Sequence, residues 1–210
     1  LGLMVQNQHK EEHLTSSAFI RDAVIGMSDG LTVPFALAAG LSGAVDSNAI
    51  IITAGIAEIA AGSIAMGLGG FLAGKTEVQH YDNELKREYY EVDHLPEKEK
   101  EEVREVFEEY GVSRDSAEII VEELAKDKDK WVSFMMKFEL GLEKPDKNRA
   151  YASAVTIAIS YVIGGIIPLG GYFITSTPHE GLLISSGITL ICLLIFGFFK
   201  SKMFGQNPWK

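Results

Sequence analysis

Residues 49–74 read AIIITAGIAEIAAGSIAMGLGGFLAG, an apolar run interrupted by a single charge, Glu58. A helix needs about 20 mostly apolar residues to cross the ~30 Å of a bilayer core, so this run is long enough to span. Three more segments share the property, 24–45, 151–175 and 181–199. Together they predict an all-α polytopic helical membrane protein with four spans, because a helix satisfies its own backbone polar groups in lipid. An ionisable group at membrane depth costs at least ~2.5 kcal/mol unless a partner, water or ion compensates it. Glu58 in the second span and Asp29 in the first therefore point to an ion path.

Steps of four residues along the second span draw two rows on adjoining faces. Ala57, Ala61, Ala65, Gly69 and Ala73 form a small-residue row that lets another helix approach closely, within the monomer or across a dimer axis. Beside it run Glu58, Gly62, Met66, Gly70 and Gly74, placing a carboxylate and a thioether on one glycine-smoothed face. Met66 has two readings, gap-filler in the bundle and metal ligand; its shared face with Glu58 strengthens the second. In the first helix Asp22 and Asp29 are seven residues apart and lie on one side. Asp22 also reads as a cap or an interfacial charge, whereas Asp29 is followed only by apolar or small residues until Asp46.

At 1.5 Å per residue from the span ends near Asp22 and Lys75, Asp29 lies roughly 10 Å deep, Met66 about 13 Å and Glu58 about 25 Å. This ladder of two carboxylates and a thioether suits a divalent ion of intermediate softness such as ferrous iron, since hard magnesium prefers oxygen and water throughout. The third span has no charge but carries Gly164, Gly165, Pro168, Gly170 and Gly171. These predict either a kinked or unwound outer half or a proline bend tolerated by neighbouring helices. The fourth reads as an ordinary lipid-facing helix.

Charge is segregated. Residues 75–149 hold 22 of the 29 acids and 14 of the 19 bases, giving a net −8 of the chain's −10. A block of that sign excludes nucleic acid as a partner, which calls for cationic patches. The loops 42–47 and 176–180 carry no Lys or Arg, while Lys10, Arg21, the fourteen bases of the block, Lys200, Lys202 and Lys210 all fall on the other side. The positive-inside rule then places both termini and the acidic block in the cytosol. Residues 1–17 are too polar for a secretory signal, and Cys192 alone makes no intrachain disulfide.

The acidic block divides at its own punctuation. Residues 75–92 continue the second span as a polar helix, and Pro96 opens another at its first turn. Val103, Val106, Phe107 and Tyr110 form its apolar stripe, Gly111 stops it, and Ser113 caps a helix carrying Ala117, Ile120, Val121 and Leu124. A last helix over 128–142 turns Trp131, Phe134, Met135, Phe138 and Leu142 inward. Glu88 and Glu91, like Glu99 and Glu102, are spaced i, i+3 and share a face, and Glu139 stands near Met135 and Met136. Facing carboxylates on helices hold iron or manganese in bundle proteins, and Glu77-x-x-His80 matches half of a di-iron motif. Any one pair also reads as a solvated face; three clusters around one small bundle favour metal capture.

Two stretches carry a resemblance: RDAVIGMSDGLTVPFALAAGL at 21–41 and AEIAAGSIAMGLGGFLAGK at 57–75. They resemble the first two spans of the vacuolar iron transporter family, plant type, and the likeness continues through the acidic block and the third span. The resemblance implies ferrous iron moved from cytosol into a vacuole across the vacuolar membrane, in exchange for protons, by a homodimer with its pore at the subunit interface. It implies translocation-path roles for Asp29 and Met66 and a pore-facing role for Glu58; Asp22 joins them through the side it shares with Asp29. It also implies a cytosolic metal site at Glu88, Glu91, Glu99, Glu102, Met135, Met136 and Glu139, open to Fe²⁺ and to Zn²⁺, Mn²⁺ or Co²⁺.

The family has five spans, and residues 206–210, Gln-Asn-Pro-Trp-Lys, look like the approach to a fifth. The expected divisions are a cytosolic tail over 1–20, two spans over 21–74, the acidic metal-binding domain over 75–149, two spans over 150–200 and a cytosolic segment over 201–210. The expected partners are lipid, divalent metal ions, protons and a second copy of the chain, and no covalent catalysis is expected. Two rivals stand beside this reading. A membrane-anchored ferritin-like di-iron enzyme would need a second Glu-x-x-His half-site, and a metal sensor without transport would leave Asp29 and Glu58 unexplained.

Overall fold

A computed structural model describes residues 13–146 and 148–203. Most of the expected amino-terminal tail and the 206–210 approach segment lie outside the described residues. Within them the chain is helical throughout: α1 (His13–Ser42), α2 (Asn48–His94), α3 (Pro96–Glu109), α4 (Arg114–Leu124), α5 (Lys128–Phe134), a π-turn (Met135–Glu139), α6 (Arg149–Ile174) and α7 (Pro178–Met203). No strand occurs among the described residues. Four helices are long and apolar enough to cross a membrane, Ala18–Ser42, Asn48–His94, Arg149–Ile174 and Pro178–Lys202. The chain forms two compact units, one of Leu1–Leu72 with Ala150–Lys210 and the other of Ala73–Arg149.

The first unit is held by backbone-close helix contacts. Lipid supplies no hydrophobic drive between helices, so close approach and van der Waals contact decide where they meet. Gly26 and Gly30 of α1 lie so near the carbonyls of Ile157 and Tyr161 on α6 that a Cβ at either would collide with them. Gly164 answers from α6, 2.9 Å from the Met27 carbonyl by the same construction. The seam thus uses glycines of the first and third spans. The row Ala57, Ala61, Ala65, Gly69 and Ala73 is exposed in this unit, and a Cβ on Gly69 meets nothing within 4 Å. Of its two expected uses, packing within the monomer is excluded.

Two expectations for the later spans are corrected. α6 is neither broken nor unwound; it runs through Pro168 to Ile174, with its glycines serving as contact surfaces. α7 is more than a lipid-facing helix, since Gly181, Ser185 and Thr189 are buried and the Ser185 hydroxyl donates to the Pro168 carbonyl. Hydroxyls elsewhere in the spans return to their own helix, Thr53 to Ala49 O at 2.7 Å and Ser42 to Ala38 O at 2.8 Å, as a medium without water requires. At one end of the unit the Asn48 amide donates to Thr175 O at 2.8 Å and Tyr172 O at 3.2 Å, and the Tyr172 hydroxyl meets Ser42 Oγ at 2.8 Å. Tyr172 there joins a core of Ala38, Ile51, Ile59 and Leu169.

In the second unit α2 continues unbroken as far as His94, and α3–α5 fold beside it around Val92, Val103, Val121, Trp131, Val132, Met135 and Met136. Pro96 opens α3, and Gly111 ends it with φ +83°, a conformation that favours glycine. Ser113 sits at the N-cap of α4, but its hydroxyl donates to Ser116 Oγ and makes no cap bond; Asp127 does cap α5.

The stripes are partly misphased. Tyr110, Ile120 and Phe138 were expected inside and are exposed, Tyr110 by 77%. For Phe138 the cause is the π-turn. The expected helix over 128–142 stops at Phe134, after which Leu140 N bonds Met135 O across five residues. That wider turn shifts the helical phase, so Met136 enters the core and Phe138 leaves it.

Candidate functional site

Glu58 projects from α2 where Tyr161 of α6 meets it. The Tyr161 hydroxyl donates to Glu58 Oε1 at 2.6 Å, and Glu58 Oε2 is buried with no hydrogen-bond partner in the protein. Tyr161 is itself buried, and Gly62, one turn beyond Glu58, is what admits its ring: a Cβ there would strike the phenol. A half-satisfied carboxylate in an apolar span is an expensive group to keep. It is also equipped to accept a proton or a cation on its open oxygen. Sequence reading missed Tyr161, which bears no charge and looks like one more apolar residue of α6.

The other membrane residues stand apart in their surroundings. Asp29 and Met66 are half-buried on α1 and α2. Asp22 is 3% exposed and lies 3.9 Å from Arg21 Nε, so it behaves as a held charge rather than a freely exposed cap.

The second unit gathers the predicted acids. Carboxylate oxygens of Glu88 and Glu91, from the end of α2, and of Glu99, from the first turn of α3, lie within 4.8 Å of one another. Glu88 and Glu99 are 1% and 0% exposed. Neither oxygen of Glu99 has a hydrogen-bond partner, nor does Glu88 Oε2. Buried carboxylates without donors are rare, because desolvation strongly disfavours the charged form. Burial, then the charges of Glu102 and Glu88, raises Glu99 from the ordinary 4.5 to about 7. Glu88 is raised by burial and next by Glu91.

Glu139, at the end of the π-turn, is also raised to about 7 by desolvation of its carboxyl and then by Glu102 and Glu88. Its residue surface is nonetheless largely open to water. The repulsion from two fixed carboxylates holds on either side of that boundary, so the upward direction stands. Met135 and Met136 are 0% and 2% exposed and belong to the unit's core. Their burial alone is explained by packing; the π-turn that carries them together with Glu139 is a feature enriched at functional sites.

Two cations at this cluster were also missed in the sequence. Lys98 Nζ lies 2.7 Å from Glu102 Oε1 and 3.7 Å from Glu99 Oε1. Arg87 reaches Glu84 at 2.8 Å, Glu88 at 3.5 Å and Glu91 at 3.7 Å. Glu77 and His80, the half di-iron motif, are exposed, and His80 lies 3.9 Å from Glu84 rather than beside a second half-site.

The sequence profile of the VIT family matches residues 20–210. This chain belongs to the VIT family. It is 54% identical over 202 residues to the vacuolar iron transporter of Centaurea cyanus, covering 96% of this chain and 82% of that protein. Vacuolar iron transporter 1 of Oryza sativa subsp. japonica is 50% identical over 203 residues, covering 97% and 81%. Protein CCC1 of Saccharomyces cerevisiae is 39% identical over 189 residues, covering 88% and 58%. The resemblance seen in 21–41 and 57–75 is thus a family relationship, and the matched range takes in both the VIT-type spans and the acid cluster.

Proposed function

We propose that this chain carries ferrous iron from the cytosol into a vacuole, exchanging it for protons. The observation that carries the reading is Glu58, a carboxylate inside a membrane span with one oxygen on Tyr161 and the other buried and open. The relatives' names support the cargo and the compartment, and they are names of transporters, not enzymes.

In this reading the unit Ala73–Arg149 is the cytosolic metal-capture domain, with Glu88, Glu91, Glu99, Glu102 and Glu139 as oxygen ligands and Met135 and Met136 as thioethers. Zn²⁺, Mn²⁺ and Co²⁺ fit the same donors. Iron passes to Asp22 and Asp29, loses part of its water near Met66 and leaves past Glu58. Carboxylates bind either a metal or a proton, which couples the two flows. The exposed row Ala57 to Ala73 supports a homodimer that closes the pore between two copies. The charge asymmetry supports cytosolic termini.

The test is uptake by the full chain in sealed liposomes, with iron and internal pH recorded together. An acidic interior is expected to accelerate uptake and to become more alkaline as iron enters. Asp29→Ala is expected to abolish uptake and keep metal binding by the acid cluster. Equal uptake with and without the gradient would reduce the protein to a passive channel, and wild-type rates in Asp29→Ala would remove that residue from the path.

A further inference from the structure

We infer that Lys98 and Arg87 are tethered counter-ions of the acid cluster, competing with a divalent ion for its carboxylates and so holding its affinity low enough for release. The inference rests on the metal-capture reading. The cluster is more than a patch of acids, because Glu99 is fully buried with both oxygens unpartnered beside Glu88 and Glu91.

Those carboxylates are shared with the two cations. Lys98 holds Glu102 at 2.7 Å and faces Glu99 at 3.7 Å, while Arg87 faces Glu88 at 3.5 Å and Glu91 at 3.7 Å. Between them they touch four of the five acids proposed as ligands. A divalent ion drawing on those oxygens must repel or displace both cations, since like charges at these separations interact strongly away from bulk water.

Exposure separates these two from a structural ion pair. The side chains of Arg87 and Lys98 are 49% and 57% exposed, so each can swing its head group into water on a long flexible stem. Arg104 is the contrast: its side chain is 11% exposed and fixed between Glu101 and Glu118. A fold that needed Arg87 and Lys98 as braces would bury them in the same way. A carrier that must hand its ion on gains from the opposite arrangement, because a cluster of bare carboxylates would retain a divalent cation.

The experiment is calorimetric titration of the purified full chain in detergent with Mn²⁺ at pH 8, together with stopped-flow release into a chelator. Lys98→Gln and Arg87→Gln are each expected to lower Kd by about three- to tenfold through slower release, with the double variant tighter still. Lys98→Arg keeps the charge and is expected to stay within about twofold of wild type. Lys126→Gln makes the same charge change on a lysine paired with Glu123, outside the cluster, and is expected to leave Kd unchanged. A brace would behave oppositely, weakening binding when removed. Unchanged or weaker binding in both Gln variants, with wild type binding Mn²⁺ and circular dichroism intact, overturns the counter-ion role alone. Absence of Mn²⁺ binding in wild type and variants overturns the capture reading with it.

Discussion

Glu99 shows how one residue links stability to cargo. Its carboxyl titrates near 7 in the folded unit against an ordinary 4.5, so between those values the folded state binds more protons than the unfolded chain. The slope of unfolding free energy with pH is then negative, and stability falls as pH rises from 4.5 through about 7. Metal requires the deprotonated form, so affinity should rise over the same upper range, with protons released on binding. Calorimetry in buffers of different ionisation enthalpy between pH 6 and 8 checks this; pH-independent affinity would contradict it. Glu99→Gln should weaken metal binding at least about tenfold and stabilise the metal-free protein at pH 8 by roughly 1–2 kcal/mol, measured by chemical unfolding. Tyr161→Phe is a second test at this scale. It strips Glu58 of its one donor while preserving ring volume, at a folding cost of about 1–3 kcal/mol. Iron uptake is expected to fall at least about tenfold, and unchanged rates would make the hydrogen bond merely structural. Glu58 was legible in the sequence because a charge among apolar residues stands out. Tyr161 was not, because its partner lies 103 positions away and only Gly62 marks the room its ring needs.

At the level of helices, apolar length made all four spans legible, and the run of polar residues after Gly74 carried α2 onward to His94. Phase within the short helices was less legible. A 3.6-residue period extended over 128–142 places Phe138 inside, but nothing in the local composition announces the five-residue turn at Met135 that replaces it with Met136. Glycine spacing misled in a different way. Both Gly26/Gly30 and the row ending in Ala73 permit close packing, and the choice between them depends on which helix arrives, information that resides in α6. The two surfaces should respond differently to one methyl group. Gly30→Ala forces the backbones of α1 and α6 apart and should destabilise the protein by about 1–3 kcal/mol, whereas Gly69→Ala should leave monomer folding within about 0.5 kcal/mol of wild type. Thermal unfolding in detergent distinguishes them, and equal shifts would count against the α1–α6 seam.

For the molecule as a whole, the exposed small-residue row makes assembly testable apart from folding. Ala65→Trp enlarges an exposed position of the first unit without touching its core. Light scattering is expected to show monomers for this variant and dimers for wild type, at equal helicity; a dimeric variant would move the interface elsewhere. The links at Asn48 bear on motion. Its amide ties the first turn of α2 to the last turn of α6, and Tyr172 ties that same turn to the end of α1 through Ser42. Three helix ends are thereby linked into a closed circuit, and a closed circuit has no free hinge. This end of the unit should behave as a stiff ring, so slow breathing motions must be absorbed toward the opposite ends of the same helices. Amide hydrogen exchange should accordingly be slowest at Ile51 and Ile52 among α2's membrane residues, and Asn48→Ala should quicken it there first.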